Sequence, residues 1–200
     1  MNIKRIIGGN LESNGYIIYN KEGMGCYVID PGYNPDKYIK FIHEKGLNPL
    51  GILLTHHHYD HVGGVAKIRS TFECPVMLHR GDLDMYREPV DHVLEDQEVL
   101  MLEGEEIRVI HTPGHTEGGV CYYSEKNKLA FTGDTIFNVD LGRTDMKDGN
   151  EAKMIETVKN ILDKWSNEIT IYPGHGDSCN MKFVRKYNTE FLDIMSNKGR

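Results

Sequence analysis

The sequence predicts a mixed α/β protein in which sheets and helices stack in layers, a sandwich in preference to an all-β barrel or a helix bundle. Segments rich in β-branched and aromatic residues alternate with segments of helical periodicity along the chain, and several strand pairs are joined by short hairpin-like turns. The length of 200 residues suits one domain, so we expect residues 1–200 to form a single domain with a sizeable core.

The first half of the chain contains short strands and two helices. Tyr38, Ile39 and Ile42 recur at helical spacing, and Gly46 follows as a C-terminal stop. The apolar run at 51–55 is typical of a strand that is buried on both faces. The predicted strands are 3–7, 16–19, 26–30, 51–55 and 76–79, and the predicted helices are 35–45 and 64–71.

The second half contains two predicted hairpins, a long polar loop and two helices. The hairpins pair strand 99–102 with 106–111 and strand 120–123 with 129–132. The polar loop covers 138–149, the last strand 169–172 and a terminal helix 181–195. A helix is predicted over 151–165 because one apolar stripe runs along it, formed by Met154, Ile155, Val158, Ile161, Leu162 and Trp165.

Composition excludes several classes of protein. The net charge of −7 argues against nucleic acid as the main partner, since phosphate binding needs a basic surface. No apolar run approaches the ~18 residues of a membrane span, and no secretory signal is visible at the N-terminus. We therefore expect a cytoplasmic protein with reduced thiols. The cysteines show no Cys-x-x-Cys spacing, and they are Cys26, Cys74, Cys121 and Cys179.

Histidine is unusually frequent, with ten copies against a single Trp. The strongest motif is Thr55-His56-His57-His58-Tyr59-Asp60-His61, which begins where a predicted buried strand ends. Four imidazoles and a carboxylate so close together are costly to bury without a partner, and loops at strand ends are where ligands converge. Imidazole and carboxylate are good ligands for zinc and also suit iron or manganese. The motif predicts a metal site.

Three further segments each place one potential metal ligand beside a glycine, directly after a predicted strand. They are Thr112-Pro113-Gly114-His115-Thr116, Thr132-Gly133-Asp134-Thr135 and Tyr172-Pro173-Gly174-His175-Gly176. Each segment alone is weak evidence, because an Asp in a turn is commonly a turn former. Four strand ends that deliver ligands to one sheet edge would assemble a site from distant parts of the sequence.

In their order and spacing these four segments resemble the metallo-β-lactamase superfamily, over nearly the whole chain. The resemblance implies a four-layered αβ/βα sandwich with two divalent metal ions, zinc in the first place and iron or manganese as alternatives. It implies that His56, His58 and His115 bind one ion, that Asp60, His61 and His175 bind the other, and that Asp134 bridges them. Asp60 and Asp134 are then the carboxylates on which catalysis depends. His57 falls on a non-ligand position, and Asp30 is a candidate to support a ligand from behind or a simple turn former.

Two adjacent divalent ions can share a water and lower its pKa toward neutrality, so the expected reaction is hydrolysis by a bridging hydroxide. Within the superfamily the chain most resembles glyoxalase II-like hydrolases of hydroxyacyl thioesters, and a small, anionic substrate is expected. The planar fork of Arg143 would suit a substrate carboxylate, with a salt bridge inside the loop as the alternative. Tyr59 would line the pocket or serve packing.

One departure and several alternatives follow from the same resemblance. Glyoxalase II carries a helical C-terminal domain that helps to bind glutathione, whereas 25 residues follow His175 here, so another thiol carrier is an alternative. A mononuclear-iron persulfide dioxygenase and a lactonase share the fold. A β-lactamase is disfavoured because those enzymes lack the aspartate that Asp134 supplies. If the protein is not an enzyme, the alternative is a metal store or sensor. The sequence leaves the oligomeric state open.

Overall fold

A computed structural model describes residues 1–196 and shows two six-stranded sheets, each covered by helices on its outer face. The strands are β1 (Asn2–Gly8), β2 (Ser13–Tyr19), β3 (Gly25–Ile29), β4 (Asn48–Leu53), β5 (Val76–His79), β6 (His92–Leu94), β7 (Val99–Leu102), β8 (Glu105–His111), β9 (Val120–Ser124), β10 (Leu129–Gly133), β11 (Thr170–Pro173) and β12 (Cys179–Asn180). The helices are α1 (Pro35–Lys45), α2 (Tyr59–Val62), α3 (Val65–Phe72), α4 (Glu151–Asn160), α5 (Met181–Tyr187) and α6 (Thr189–Ser196).

Strand direction explains where the functional loops meet. The first sheet has the order β1-β2-β3-β4-β5-β6, and β3, β4, β5 and β6 run parallel. The second has the order β12-β11-β10-β9-β8-β7, in which β9 is antiparallel to both β8 and β10, and β11 is parallel to β10. The carboxyl ends of β8, β10 and β11 therefore share one edge of their sheet, as those of β3 and β4 do in the other.

Three apolar layers hold the sandwich together. The two sheets face each other across a layer that includes Tyr16, Leu53 and Phe131. A second layer lies between the first sheet and helices α1 and α3, where Ile42 and Ile68 are fully buried. A third, formed mainly by side chains from the second sheet and from α4, α5 and α6, completes an αβ/βα order. The predicted four-layered fold is confirmed.

Two helix predictions were wrong in extent. The helix predicted over 151–165 ends at Asn160, and a 3₁₀ turn, Leu162–Lys164, continues the same buried stripe. Apolar periodicity records which side chains are buried and does not distinguish an α-helix from a tighter turn. The single helix predicted over 181–195 is two helices, because Asn188 adopts an extended backbone between α5 and α6. Its side-chain oxygen accepts a hydrogen bond from the backbone N–H of Phe191 at 2.9 Å, as an N-cap does.

Three short elements were not predicted: strands β6 and β12 and helix α2. They contain two to four residues each, too few to show periodicity in sequence. The two strands lie at the outer edges of their sheets. Within residues 1–196, no helix has both the length and the apolar character needed to cross a membrane.

Candidate metal centre

The predicted ligand segments all meet at the edge of the sandwich where the two sheets adjoin. The segment from His56 to His61 follows β4 of the first sheet, whereas His115, Asp134 and His175 follow β8, β10 and β11 of the second. The parallel directions of these strands bring segments far apart in sequence to one place.

A first group of three imidazoles comprises His56, His58 and His115. One ring nitrogen from each lies within 4.8 Å of the others, a separation that a shared cation could span. Nε2 of His115 is 2.9 Å from Nδ1 of His58. His56 is 1% exposed, and its Nε2 has no hydrogen-bond partner among the described residues. A buried ring nitrogen without a partner is costly unless something else binds it.

A second group comprises Asp60, His61 and His175, again with ligand atoms within 4.8 Å of one another. The Asp60 carboxylate is 3.2 Å from Nε2 of His175 and 3.4 Å from Nε2 of His61. Asp134 lies between the two groups, since its Oδ2 is 3.5 Å from Nε2 of both His115 and His175. This is the position in which a bridging carboxylate would lie.

Each of these histidines is held through the ring nitrogen that faces away from the groups. Nδ1 of His56 contacts the hydroxyl of Thr55 at 3.0 Å, and Nδ1 of His61 contacts Oδ2 of Asp30 at 3.2 Å. Asp30 also accepts hydrogen bonds from the backbone N–H and hydroxyl of Thr55, at 2.7 and 2.5 Å. Such partners fix the tautomer and leave Nε2 free to act as a ligand. Asp30 therefore supports His61 from behind while it also forms the turn after β3.

Backbone carbonyls hold the outer ring nitrogen of two other histidines. Nδ1 of His115 donates to the carbonyl of Arg143 at 2.8 Å, and Nδ1 of His175 donates to the carbonyl of Leu11 at 2.9 Å. Backbone acceptors leave no trace in residue type, so the sequence contained no signal for these contacts.

A second layer of carboxylates behind the histidine loop was missed by sequence reasoning. Oδ2 of Asp148 lies 3.3 Å from Nε2 of His58 and 3.1 Å from Nε2 of His57. Oδ2 of Asp82 accepts the backbone N–H of His57 at 3.0 Å, and Asp82 is 1% exposed. The His57 imidazole lies between these two carboxylates, since its Nδ1 is also 3.0 Å from Oδ2 of Asp82. The nearest sequence signal was an acidic residue in each of two polar segments, which is too common to single out.

The electrostatics of the site favour cations. Burial would lower the pKa of His61, but the carboxylates of Asp134, Asp30 and Asp60 around it raise it well above its ordinary value. Burial would also lower the pKa of His175, but its hydrogen bonds to Asp134 and Asp60 raise that pKa to about 10. Without a metal the carboxylates therefore hold protons on these imidazoles. A divalent cation would replace those protons, as metal binding to histidine generally does.

Close packing of the backbone fixes the carboxylates. A Cβ on Gly174 would lie 2.1 Å from Oδ1 of Asp134 and 2.7 Å from Cε1 of His61. A Cβ on Gly32 would lie 1.6 Å from the carbonyl oxygen of Asp60. Glycine is required at both positions because the backbone approaches a ligand residue more closely than a side chain allows. The buried ring nitrogen of His56 without a hydrogen-bond partner, the fixed histidine tautomers and the close packing together fit a centre for two divalent cations.

The two predicted substrate-binding residues lie at the mouth of the site. Tyr59 is 66% exposed, so packing does not require it, and it lines the cavity above the ligand groups. Arg143 lines the same cavity, but its guanidinium forms two hydrogen bonds with the carboxylate of Asp145, at 2.7 and 2.8 Å. The Arg143 guanidinium therefore forms the salt bridge inside the loop that was the alternative prediction.

The fold and the site define a class of protein, an αβ/βα sandwich with a histidine and aspartate metal centre between its sheets. A family model described as the metallo-beta-lactamase superfamily matches residues 8–175. The probable metallo-hydrolase YqgX of Bacillus subtilis is 30% identical over 193 residues, which covers 88% of this chain and 90% of that protein. A probable hydroxyacylglutathione hydrolase of Schizosaccharomyces pombe is 34% identical over 185 residues, covering 90% of this chain and 70% of the relative.

Solved structures agree with this fold. A structure titled BLEG-1 B3 metallo-beta-lactamase aligns with a TM-score of 0.88 and 30% identity, covering 94% of this chain and 98% of the other. A structure titled TTHA1623 in a di-iron-bound form aligns with a TM-score of 0.83 and 32% identity, covering 93% of this chain and 98% of the other. The protein therefore belongs to the metallo-beta-lactamase superfamily, whose members are largely metal-dependent hydrolases.

Proposed function

We propose that the protein is a hydrolase with two divalent metal ions that cleaves thioesters of the glyoxalase II type into a hydroxy acid and a thiol. One observation carries the proposal. The two ligand groups lie side by side with Asp134 between them, and every histidine in them is held through its outer ring nitrogen. The ligand roles of His56, His58, His115, Asp60, His61, His175 and Asp134 are part of the proposal.

The chain's own residues favour attack by water over attack by a protein nucleophile. Bound divalent ions would lower the pKa of a water molecule and polarise a carbonyl. Among the described residues that line the cavity there is no serine or cysteine to act as a nucleophile. Cys121, on β9, is fully buried, and burial raises the pKa of its thiol to about 11. A thioester suits such a site, because a thiolate leaves without help from a strong general acid.

One relative supports the substrate class, and the ligand chemistry supports the choice of metal. The similarity to a probable hydroxyacylglutathione hydrolase favours a hydroxyacyl thioester, a small-molecule substrate with a thiol leaving group. The ligand chemistry suits zinc, and we propose zinc as the native metal. The four cysteines are free, which is in keeping with the reducing cytoplasm as the place of action.

A mononuclear-iron persulfide dioxygenase is the second candidate. The similarity to a protein solved in a di-iron-bound form, in a chain 32% identical to this one, favours iron as the metal but not a centre with a single ion. The seven donors present here exceed what one iron on two histidines and an aspartate requires. Oxygen uptake with a persulfide substrate distinguishes the candidates, since hydrolysis consumes none.

The test combines metal analysis with turnover. We expect about two zinc ions per chain and hydrolysis of S-lactoylglutathione or another hydroxyacyl thioester, and no turnover of nitrocefin. Asp134→Ala should lose at least one metal and nearly all hydrolysis. Asp36→Ala is the matched control, because Asp36 is exposed on α1. Two bound metals and full activity in Asp134→Ala would show that the bridging assignment is wrong.

A further inference from the structure

The cavity above the candidate metal centre has a markedly apolar wall. It measures about 650 Å³, and Asp60, Asp134 and His175 form its floor. Its volume falls in the range typical of small-molecule sites. The wall includes six apolar or aromatic side chains. Leu141 is buried, and we call the other five the apolar rim: Leu11, Tyr59, Phe137, Val139 and Met146.

The rim concentrates exposed apolar surface at one place. Four of its members are largely exposed: Leu11 at 51%, Tyr59 at 66%, Val139 at 45% and Met146 at 39%. These are four of the eleven large apolar side chains that are exposed among residues 1–196. Single exposed apolar residues need no explanation, whereas a cluster from three chain segments around one cavity marks a binding surface.

The rim begins directly at the ligand residues. The backbone carbonyl of Leu11 holds His175, and the ring of Phe137 lies 6.0 Å from the His175 ring, centroid to centroid. A group that reacts at His175 and Asp134 would therefore place its substituent against the rim without an intervening polar layer.

The charges of the wall do not suit a thiol that carries two carboxylates. Apart from the histidines of the ligand groups, Arg143 is the one basic residue among the described residues that line the cavity. Its guanidinium is already paired with Asp145. Asp140, also in the wall, adds an acidic side chain. The two carboxylates of a glutathione-like carrier would find no unpaired cation here, and desolvating them without a partner costs affinity.

We infer that the preferred substrate carries an uncharged, apolar substituent, an alkyl or aryl group, next to the scissile thioester. This inference rests on the proposed thioester hydrolysis, in which water adds to the carbonyl carbon and the C–S bond breaks to give a carboxylate, a thiol and a proton. The substituent lies on the rim while the carbonyl faces the ligand groups. The sequence led us to expect an anionic substrate. We now expect a substrate that the enzyme selects by apolar contact with the rim.

The experiment measures how kcat/KM depends on chain length for the zinc-loaded protein. One series varies the acyl group on uncharged N-acetylcysteamine from acetyl to octanoyl, and a second varies the thiol of lactoyl thioesters from ethanethiol to hexanethiol, with the glutathione thioester as the charged reference. Burying a methylene is worth ~0.8 kcal/mol, which converts to about fourfold, so we expect a rise of about two- to fourfold per methylene. A rise in the first series places the apolar group on the acyl side, and a rise in the second places it on the thiol.

Matched variants locate the effect. Met146→Gln preserves side-chain length but removes apolar character at the rim, and should reduce the rise per methylene by at least half. Met101→Gln is the control, because Met101 is 50% exposed on β7 and does not line the cavity. A flat dependence in both series, or an unchanged rise in Met146→Gln, would overturn the inference.

Binding of product carboxylates keeps the inference testable apart from catalysis. Calorimetry should show that octanoate binds the zinc-loaded protein at least tenfold more tightly than acetate, with the difference reduced in Met146→Gln. Equal binding of the two acids would overturn the inference that the apolar rim binds the substituent. Tighter binding of octanoate without turnover of any thioester would support the rim and refute the proposed hydrolysis.

Discussion

Replacement of Asp82 by Asn tests whether the carboxylate behind the histidine loop holds the metal centre together. Asp82 ends a 3₁₀ turn, Arg80–Asp82, after β5. Its Oδ1 accepts the backbone N–H of Gly118 at 2.6 Å, and its Oδ2 accepts the backbone N–H of His57 and the hydroxyl of Thr116, both at 3.0 Å. One carboxylate therefore joins the loop that carries His56–His61 to the loop that carries His115.

The magnitude follows from the number of acceptors lost. Asparagine has one side-chain oxygen, so in either orientation its amide group faces at least one buried donor that Asp82 now satisfies. Each buried polar group left unsatisfied costs about 1–3 kcal/mol, and hydrogen bonds to a charged acceptor are stronger than neutral ones. With one donor and the amide itself unsatisfied, we expect the free energy of unfolding to fall by about 2–6 kcal/mol. Zinc affinity should fall by about tenfold because both ligand loops lose their shared support.

The assay is urea unfolding of the metal-free protein, followed by zinc titration against a competing chelator. Asp84→Asn is the control, since Asp84 is exposed two residues further along the chain. If Asp82→Asn unfolds at the same urea concentration as Asp84→Asn and binds zinc as tightly as the unchanged protein, the reasoning is refuted.

The same carboxylate gives a pH dependence of stability. Burial alone would raise the pKa of Asp82, but the His57 imidazole, with Nδ1 3.0 Å from Oδ2, and hydrogen bonds from Gly118 and Thr116 hold that pKa below its ordinary value of 3.8. A lowered folded-state pKa stabilises the fold at pH values above 3.8, and this contribution is lost as the pH falls through the folded-state pKa. Between pH 6 and pH 2 the protein should therefore lose more stability than Asp82→Asn does.

Three further predictions concern the centre and the thiols. Asp148→Asn removes a carboxylate that faces His57 and His58, and should lower zinc affinity by about tenfold in a chelator competition while thermal stability changes little; unchanged affinity would show that Asp148 does not support the site. Gly174→Ala places a Cβ 2.1 Å from Oδ1 of Asp134, so metal analysis should find fewer than two ions per chain, and a full complement would contradict the packing argument. Burial raises the pKa of every cysteine thiol, so a colorimetric thiol reagent at pH 8 should modify fewer than one thiol per chain quickly in the folded protein and four in guanidinium; rapid modification before unfolding would show exposed thiols.

Local patterns in the sequence determined most elements of the fold. The helix predicted over 35–45 has the same bounds as α1, and Gly46 ends it in the left-handed conformation (φ 60°) that favours glycine. Ten of the twelve strands were predicted, with errors of up to three residues at their ends. A strand such as β3, which is buried along its whole length, leaves a continuous apolar run in the sequence. The break at Asn188 was missed because the apolar pattern of α5 and α6 continues across it.

The sequence by itself determined which residue types could form the site. Histidine and aspartate placed beside glycine after strands are chemically conspicuous, and their order along the chain is sufficient to predict a metal centre. Tertiary structure alone decided which ring nitrogens face inward, since the outer partners are backbone carbonyls of Leu11 and Arg143 and carboxylates from distant loops. It also decided that the guanidinium of Arg143 is paired and that the cavity wall is apolar. The physical reason is that side-chain chemistry is local in sequence, whereas hydrogen-bond partners and cavity walls depend on how distant segments pack.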